Sequence, residues 1–244
     1  MEKVRDIKRQ KRRDSKIPIV ALVGYTNAGK STLLNRILEL SDDYEENKKV
    51  YVEDMLFATL DTSLRRGKLP NGQAFLITDT VGFVSKLPTK LVEAFKGTLE
   101  EVKYADLLLH VVDASNKDLD IQIQTTLNIL KDLEVLDKPM ITVFNKMDKV
   151  DIHNLVYENR FIEEKIFISA KTGKNLDKLL LKIQDLLPYS YKFVTLNIPY
   201  DKHYIVDYFM RNYEIDSIEY TDKGTLLKLN INPVDMKKYK EFLE

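Results

Sequence analysis

Apolar positions along the chain fall into short continuous blocks, and most blocks are followed by a segment with helical spacing. Four blocks share this character: "IPIVALVGY", "DLLLHVVDAS", "KPMITVFN" and "EKIFISA". Near-continuous apolar runs are typical of parallel strands covered on both faces, whereas the segment "KSTLLNRILEL" repeats its apolar positions every three or four residues, as a helix does. The alternation predicts a doubly wound parallel sheet, with ligands bound in the loops at the carboxyl ends of its strands.

One part of the pattern breaks this alternation and makes the predicted sheet mixed. The runs "LRRGKL" and "QAFLITDT" flank Pro70, Asn71 and Gly72, which is a strong turn signal, so they are predicted to pair as an antiparallel hairpin. The polar stretch 41–63 before this hairpin is too long for an ordinary connection, which indicates a loop with a function or one that moves.

Beyond Pro188 the pattern changes again and predicts a second, smaller unit. Strand-like and helix-like runs follow in the order βαββα, which indicates a small α+β domain. We therefore divide the chain into a basic helical segment (1–16), an α/β domain (17–189) and an α+β C-terminal domain (190–244).

Composition excludes several kinds of site. Basic and acidic residues both number 38, so net charge gives no argument for nucleic acid, although the start of the chain is basic and could contact phosphates or be a solvated helix. There is no cysteine, and the three histidines lack metal-ligand spacing. No apolar run is long enough for a membrane span or a signal peptide, so we expect a cytoplasmic protein.

"GYTNAGKS", residues 24–31, fits a phosphate-binding loop in the required position between a strand and a helix. Backbone N–H groups and the helix N-terminus would surround phosphate oxygens, Lys30 would reach the outer phosphates, and the Ser31 hydroxyl would ligate Mg²⁺.

Two further motifs favour guanine over adenine. "NKMD" ends the strand "MITVF", and its Asp148 can accept hydrogen bonds from the ring N–H and the exocyclic amine of guanine together. "SAK" ends the next strand, where the backbone N–H of Ala170 is expected to meet the guanine carbonyl oxygen. The three motifs in this order predict GTP and GDP as ligands.

"DTVGF", residues 79–83, has the character of a nucleotide switch. Asp79 is expected to reach Mg²⁺ through a water, and the Gly82 N–H to contact the γ-phosphate. Thr59 is the candidate switch threonine that ligates Mg²⁺, with Thr62 as the alternative. Phe83 cannot orient an attacking water, so hydrolysis must rely on backbone groups, an ion or a partner.

The expected site thus contains a catalytic set and a wider set of contacts. The catalytic set is Lys30, Thr59 and Gly82. The metal ligands are Ser31, Thr59 and Asp79. The nucleotide contacts are Gly24, Tyr25, Thr26, Asn27, Ala28, Gly29, Lys30, Ser31, Thr32, Asp79, Gly82, Asn145, Lys146, Asp148, Ser169, Ala170 and Lys171.

These motifs, together with "DMLFATLDTSLRR" and "DTVGFVSKLPTKLVEAF", closely resemble the HflX family of translational GTPases. The resemblance implies a P-loop GTPase whose hydrolysis is stimulated by the large ribosomal subunit, and which splits stalled ribosomes. Family members usually carry an N-terminal domain before the GTPase domain, whereas this sequence starts at what resembles the end of the helical linker between them. The resemblance of the loop to potassium-activated GTPases also makes Asn27 a candidate K⁺ ligand, although it could simply stabilise the loop.

Three other functions remain open at this stage. A potassium-dependent GTPase serving tRNA modification would share Asn27 and the hydrophobic switch position. A binding module gated by nucleotide would have incidental turnover, and an ATP-dependent phosphotransferase is disfavoured by Asp148 and Ala170. The sequence does not predict the oligomeric state.

Overall fold

The computed structural model describes residues 17–41, 64–79, 100–151 and 163–244, and these form two β-sheets with their helices. The strands are β1 (Ile19–Val23), β2 (Leu64–Lys68), β3 (Ala74–Asp79), β4 (Leu107–Asp113), β5 (Met140–Asn145), β6 (Glu164–Phe167), β7 (Lys192–Ile198), β8 (Ile215–Thr221) and β9 (Gly224–Ile231). The α-helices are α1 (Lys30–Leu40), α2 (Leu119–Asp132), α3 (Leu176–Leu186), α4 (His203–Asn212) and α5 (Pro233–Lys238).

The larger sheet has six strands in the order β2-β3-β1-β4-β5-β6. Strand β1 pairs in parallel with both β3 and β4, and among the described strands of this sheet only the β2–β3 pair is antiparallel. The prediction of a mixed, mostly parallel sheet is therefore confirmed. Because β1 is central and both of its faces are covered, all five of its residues are buried.

Two apolar layers enclose this sheet. On one face Leu22 and Val111 pack with Leu33 and Ile37 of α1 and with α3, and on the other Ala21 and its neighbours form a separate cluster. Burial on both faces keeps the carboxyl ends of β1, β4 and β5 at one rigid edge, which is where the functional loops begin.

His110 lies in the middle of β4 with only 1% of its surface exposed, and its Nδ1 atom has no hydrogen-bond partner among the described residues. Burial lowers the pKa of this imidazole from 6.5 to about 4, because the charged form would lose its hydration. The folded protein therefore keeps His110 neutral at pH values where the unfolded chain already binds a proton.

We expect this histidine to make stability depend on pH. Above pH 6.5 the histidine is neutral in both states, and its full contribution to the free energy of unfolding is present. As the pH falls from 6.5 towards 4, only the unfolded chain binds the proton. The free energy of unfolding therefore decreases, by about 3 kcal/mol in total. Urea unfolding across this pH range should show the loss in wild type and in the exposed-histidine control His203→Gln. In His110→Leu the slope should be markedly flatter, and an unchanged slope would contradict the assignment.

The second sheet is antiparallel, with the order β7-β9-β8, and it follows the βαββα order predicted for the C-terminal region. Its apolar face packs against Phe209 of α4 and Tyr239 after α5. The buried Asp235 carboxylate accepts hydrogen bonds from the hydroxyls of Tyr208, at 3.0 Å, and Tyr213. These bonds compensate the cost of burying a carboxylate.

The domain boundaries 1–16, 17–189 and 190–244 stay predictions.

The β2–β3 hairpin joins the two sheets through its turn. Gln73 is 2% exposed, and its side chain bonds to the Pro188 carbonyl and the Tyr191 N–H, each at 3.4 Å. The Lys68 ammonium lies 2.5 Å from the Glu214 carboxylate. In the described ranges, none of the helices combines the length and the hydropathy needed to cross a membrane.

Candidate nucleotide-binding site

The loop between β1 and α1 needs glycine at two positions because neighbouring strands lie very close. Gly24 has φ of 145°, and a Cβ there would lie 2.2 Å from the Val111 carbonyl oxygen of β4. Gly29 has φ of 96°, and a Cβ there would lie 2.4 Å from Nδ2 of Asn145. The glycines therefore let the loop wrap against the ends of β4 and β5, as the sequence pattern predicts.

Lys30 is the first residue of α1 and is 7% exposed. Its ammonium donates to the carbonyls of Gly24, at 3.2 Å, and Tyr25, at 3.0 Å. The charge is thus held over the loop, at a helix N-terminus that itself favours anions. A buried cation beside such a terminus suits the outer phosphates of a nucleotide, which is the role that the sequence predicts for Lys30.

Asn145 at the end of β5 links the phosphate loop to the loop of the "SAK" motif, residues 169–171. Its side chain is 3% exposed, and its Nδ2 donates to the Ala28 carbonyl at 3.0 Å. Its Oδ1 accepts from the Ala170 N–H at 2.9 Å. The structure therefore gives that N–H a protein partner, and the contact predicted between Ala170 and guanine stays a prediction.

Lys146 follows in a left-handed backbone conformation, with φ of 67°. Its ammonium donates to the Asn27 carbonyl at 2.6 Å and to the Asp113 carboxylate at 2.7 Å. Burial alone would raise the pKa of Asp113, but hydrogen bonds from Lys146 and Ser115 and the Lys146 charge hold that pKa below its usual value. Lys146 thus fastens the phosphate loop to the ends of β4 and β5.

Asp113 is a site residue that sequence reasoning missed. It ends the buried run "DLLLHVVDAS", and an acidic residue directly after a parallel strand was the available signal. Nothing in the local sequence says which cation it meets, because Lys146 is distant in the chain and follows another strand, β5.

Asp148 lies in the short helical turn that follows Lys146, and its Oδ1 accepts from the Ser169 hydroxyl at 2.6 Å. This bond is the main reason why the pKa of Asp148 lies below its usual value, with smaller contributions from the charges of Lys171 and Lys149. The Ser169 hydroxyl in turn accepts from the Thr172 N–H at 3.2 Å. Asp148 is therefore a carboxylate near neutral pH, positioned by the "SAK" loop.

Some of the remaining predicted site residues lie in the described part of the chain and others do not. Tyr25, Thr26 and Asn27 lie in the loop at half-buried or exposed positions, and Ser31 and Thr32 are exposed residues of the first turn of α1. Thr59, Thr62, Gly82, Phe83 and His153 lie outside the described residues.

Two of the three donors predicted for Mg²⁺, Ser31 and Asp79, lie in described segments beside the phosphate loop, and their chemistry fits that ion. Asp79 ends β3 and pairs in register with Leu22 of β1, just before the phosphate loop. A serine hydroxyl and a carboxylate are oxygen ligands of the kind that Mg²⁺ takes. No cluster of three or more histidine or acidic residues offers another metal site within the ranges described.

Comparison with known proteins gives the family. Residues 19–146 match the sequence family described as a 50S ribosome-binding GTPase. The whole chain is 42% identical to a protein named GTPase HflX from Caldanaerobacter subterraneus subsp. tengcongensis, over 243 residues. The chain belongs to the HflX family of GTPases. A relative of the same name from Akkermansia muciniphila is 38% identical over 98% of the chain. In both cases the chain spans 54% of the relative's length, about half.

Solved structures agree with the family at the level of fold. A GTP-binding protein from Sulfolobus solfataricus in complex with GDP is 29% identical, with a TM-score of 0.53, covering 76% of this chain and 57% of that one. Era bound to MgGDPNP and nucleotides 1506–1542 of 16S ribosomal RNA is 28% identical, with a TM-score of 0.53, covering 71% and 57%.

Proposed function

We propose that this chain binds GTP and GDP through the loops at the ends of β1, β5 and β6, and hydrolyses GTP to GDP and phosphate. One observation carries the proposal: the Asn145 side chain joins the phosphate loop to the "SAK" loop, residues 169–171. The loop that holds Lys30 and the loop that positions Asp148 are therefore connected. A nucleotide has a charged end and a base end, and this arrangement provides a group for each.

In this proposal Lys30 neutralises charge on the outer phosphates, and Asp148 accepts hydrogen bonds from the guanine ring N–H and exocyclic amine. The other predicted nucleotide contacts are assigned to the same ligand. Ser31, Thr59 and Asp79 would hold Mg²⁺, which supplies charge neutralisation and orientation of the phosphates. Asn27, exposed with φ of 60°, is the residue proposed to meet K⁺.

We further propose that a partner completes hydrolysis. The phenyl ring of Phe83 can neither donate nor accept the hydrogen bonds that orient a water, so unassisted turnover should be slow. The large ribosomal subunit is the proposed partner, in the cytoplasm, with splitting of stalled ribosomes as the action of the whole protein. The description of the matching family, a 50S ribosome-binding GTPase, supports this choice.

Steady-state GTP turnover in potassium buffer, with and without purified large ribosomal subunits, tests the proposal. We expect slow turnover alone and strong acceleration with large subunits, with small subunits as the matched control. Replacing K⁺ by Na⁺ in the buffer tests whether K⁺ contributes to GTP hydrolysis. Tight GTP binding without any acceleration would contradict the ribosomal part only, whereas no binding of GTP would contradict the whole proposal.

A further inference from the structure

Arg36 lies on α1, the helix that begins with Lys30, and its guanidinium reaches the loop of the predicted guanine site. Its Nε donates to the Ala170 carbonyl at 3.2 Å, and its Nη2 donates to the Lys171 carbonyl at 3.1 Å. Two successive carbonyls are therefore held by one planar group. Arginine suits such a contact because its donors form a rigid fork, whereas lysine offers a single charged centre.

Holding these carbonyls also fixes the N–H groups that follow them. In a trans peptide the C=O and the next N–H point in opposite directions. The Lys171 carbonyl faces Arg36, so the N–H of Thr172 points away from Arg36, where it donates to the Ser169 hydroxyl at 3.2 Å. That hydroxyl donates to Oδ1 of Asp148 at 2.6 Å.

Arg36 is thus connected to the base-selecting carboxylate by a continuous series of bonds. Each link polarises the next, since hydrogen bonds in series strengthen one another. The third guanidinium nitrogen, Nη1, points outward to Glu39 at 2.7 Å, and this ion pair is half-exposed, with side-chain exposures of 42% and 50%. An exposed pair of this kind contributes little, so the contacts with the two carbonyls are the part that matters to the site.

We propose that Arg36 is a positioning residue for guanine recognition: from the phosphate-side helix it fixes the "SAK" loop and, through Thr172 and Ser169, the orientation of Asp148. This inference rests on the proposed binding of guanine nucleotides and deepens it. Because α1 also carries Lys30, the same helix sets both the phosphate end and the base end of the site.

The test compares the affinities of two nucleotides that differ only in the base. Inosine diphosphate lacks the exocyclic amine of guanine, so the ratio of its Kd to the Kd of GDP reports how well Asp148 is oriented. In Arg36→Ala we expect that ratio to fall about fivefold and the Kd of GDP to rise about tenfold. Calorimetric titration measures both, and the melting temperature should stay close to that of wild type.

Two further variants make the result decisive. Arg36→Lys keeps the charge but not the fork, so its ratio should lie between those of wild type and Arg36→Ala. If Arg36→Ala does not fold, Arg36→Lys carries the decision, and a wild-type ratio in it would overturn the inference. Arg211→Ala removes an exposed arginine of α4 in the C-terminal domain and should change neither affinity.

The outcomes also separate this inference from the proposed function. A wild-type protein without preference for GDP over ADP would refute the guanine site itself. A wild-type preference that survives unchanged in Arg36→Ala would refute only the role of Arg36. An equal weakening of both nucleotides, with a lower melting temperature, would mean that Arg36 acts on general stability and would also overturn the inference.

Discussion

Lys30→Ala is expected to lower kcat/KM for GTP by at least about a hundredfold. The ammonium is almost completely buried and is held by the carbonyls of Gly24 and Tyr25 at the start of α1. A preorganised charge in a position shielded from water stabilises phosphate charge far more than an exposed lysine does. Alanine would remove that charge and the ammonium hydrogen bonds to the Gly24 and Tyr25 carbonyls, so both nucleotide binding and turnover should decrease.

Single-turnover hydrolysis and calorimetric binding of GTP separate the two effects. Lys178→Ala is the matched control, since Lys178 is exposed on α3, and it should behave as wild type. Melting curves of both variants verify that the fold is intact. Normal GTP hydrolysis by a folded Lys30→Ala protein would show that the phosphate site lies elsewhere.

The strands of the larger sheet could be predicted because their burial is a local property of the sequence. "IPIVALVGY" is apolar at nearly every position, and β1 runs through it from Ile19 to Val23 with no residue more than 8% exposed. A central parallel strand requires this composition because helices cover both of its faces. The helix "KSTLLNRILEL" likewise coincides with α1, since its apolar residues repeat at helical spacing and glycine precedes it.

The contacts that join the loops could not be predicted, because each depends on residues far apart in the chain. Asn145 was expected as a nucleotide contact, yet its side chain is engaged by Ala28 and Ala170 in the described structure. In the sequence, Arg36 occupies a position of the helical pattern that predicts a solvated surface residue. Its contacts with the "SAK" loop are visible only in the folded structure, where α1 packs beside that loop. Periodicity fixes which face of a helix is buried, but it does not identify the carbonyls that an arginine at the edge of that face will reach.

The second large effect concerns base selection: Asp148→Asn should change the preferred base of the bound nucleotide from guanine to xanthine. The Ser169 hydroxyl donates to Oδ1 of Asp148, so an asparagine should keep its carbonyl oxygen at that place and present its amide nitrogen to the base. Guanine offers donors there, and two donors facing each other leave buried groups unpaired. We therefore expect the Kd of GDP to rise by about a hundredfold or more.

Xanthine reverses this argument, because a carbonyl oxygen replaces the exocyclic amine and can accept from the asparagine amide. Titration with GDP and with xanthosine diphosphate should show opposite changes in Asp148→Asn, and no change in Asp177→Asn, which alters an exposed carboxylate on α3. A general loss of affinity for both nucleotides would indicate damage to the loop. An unchanged preference for GDP would mean that Asp148 does not face the base, and the guanine assignment would then have to move to the backbone of the "SAK" loop.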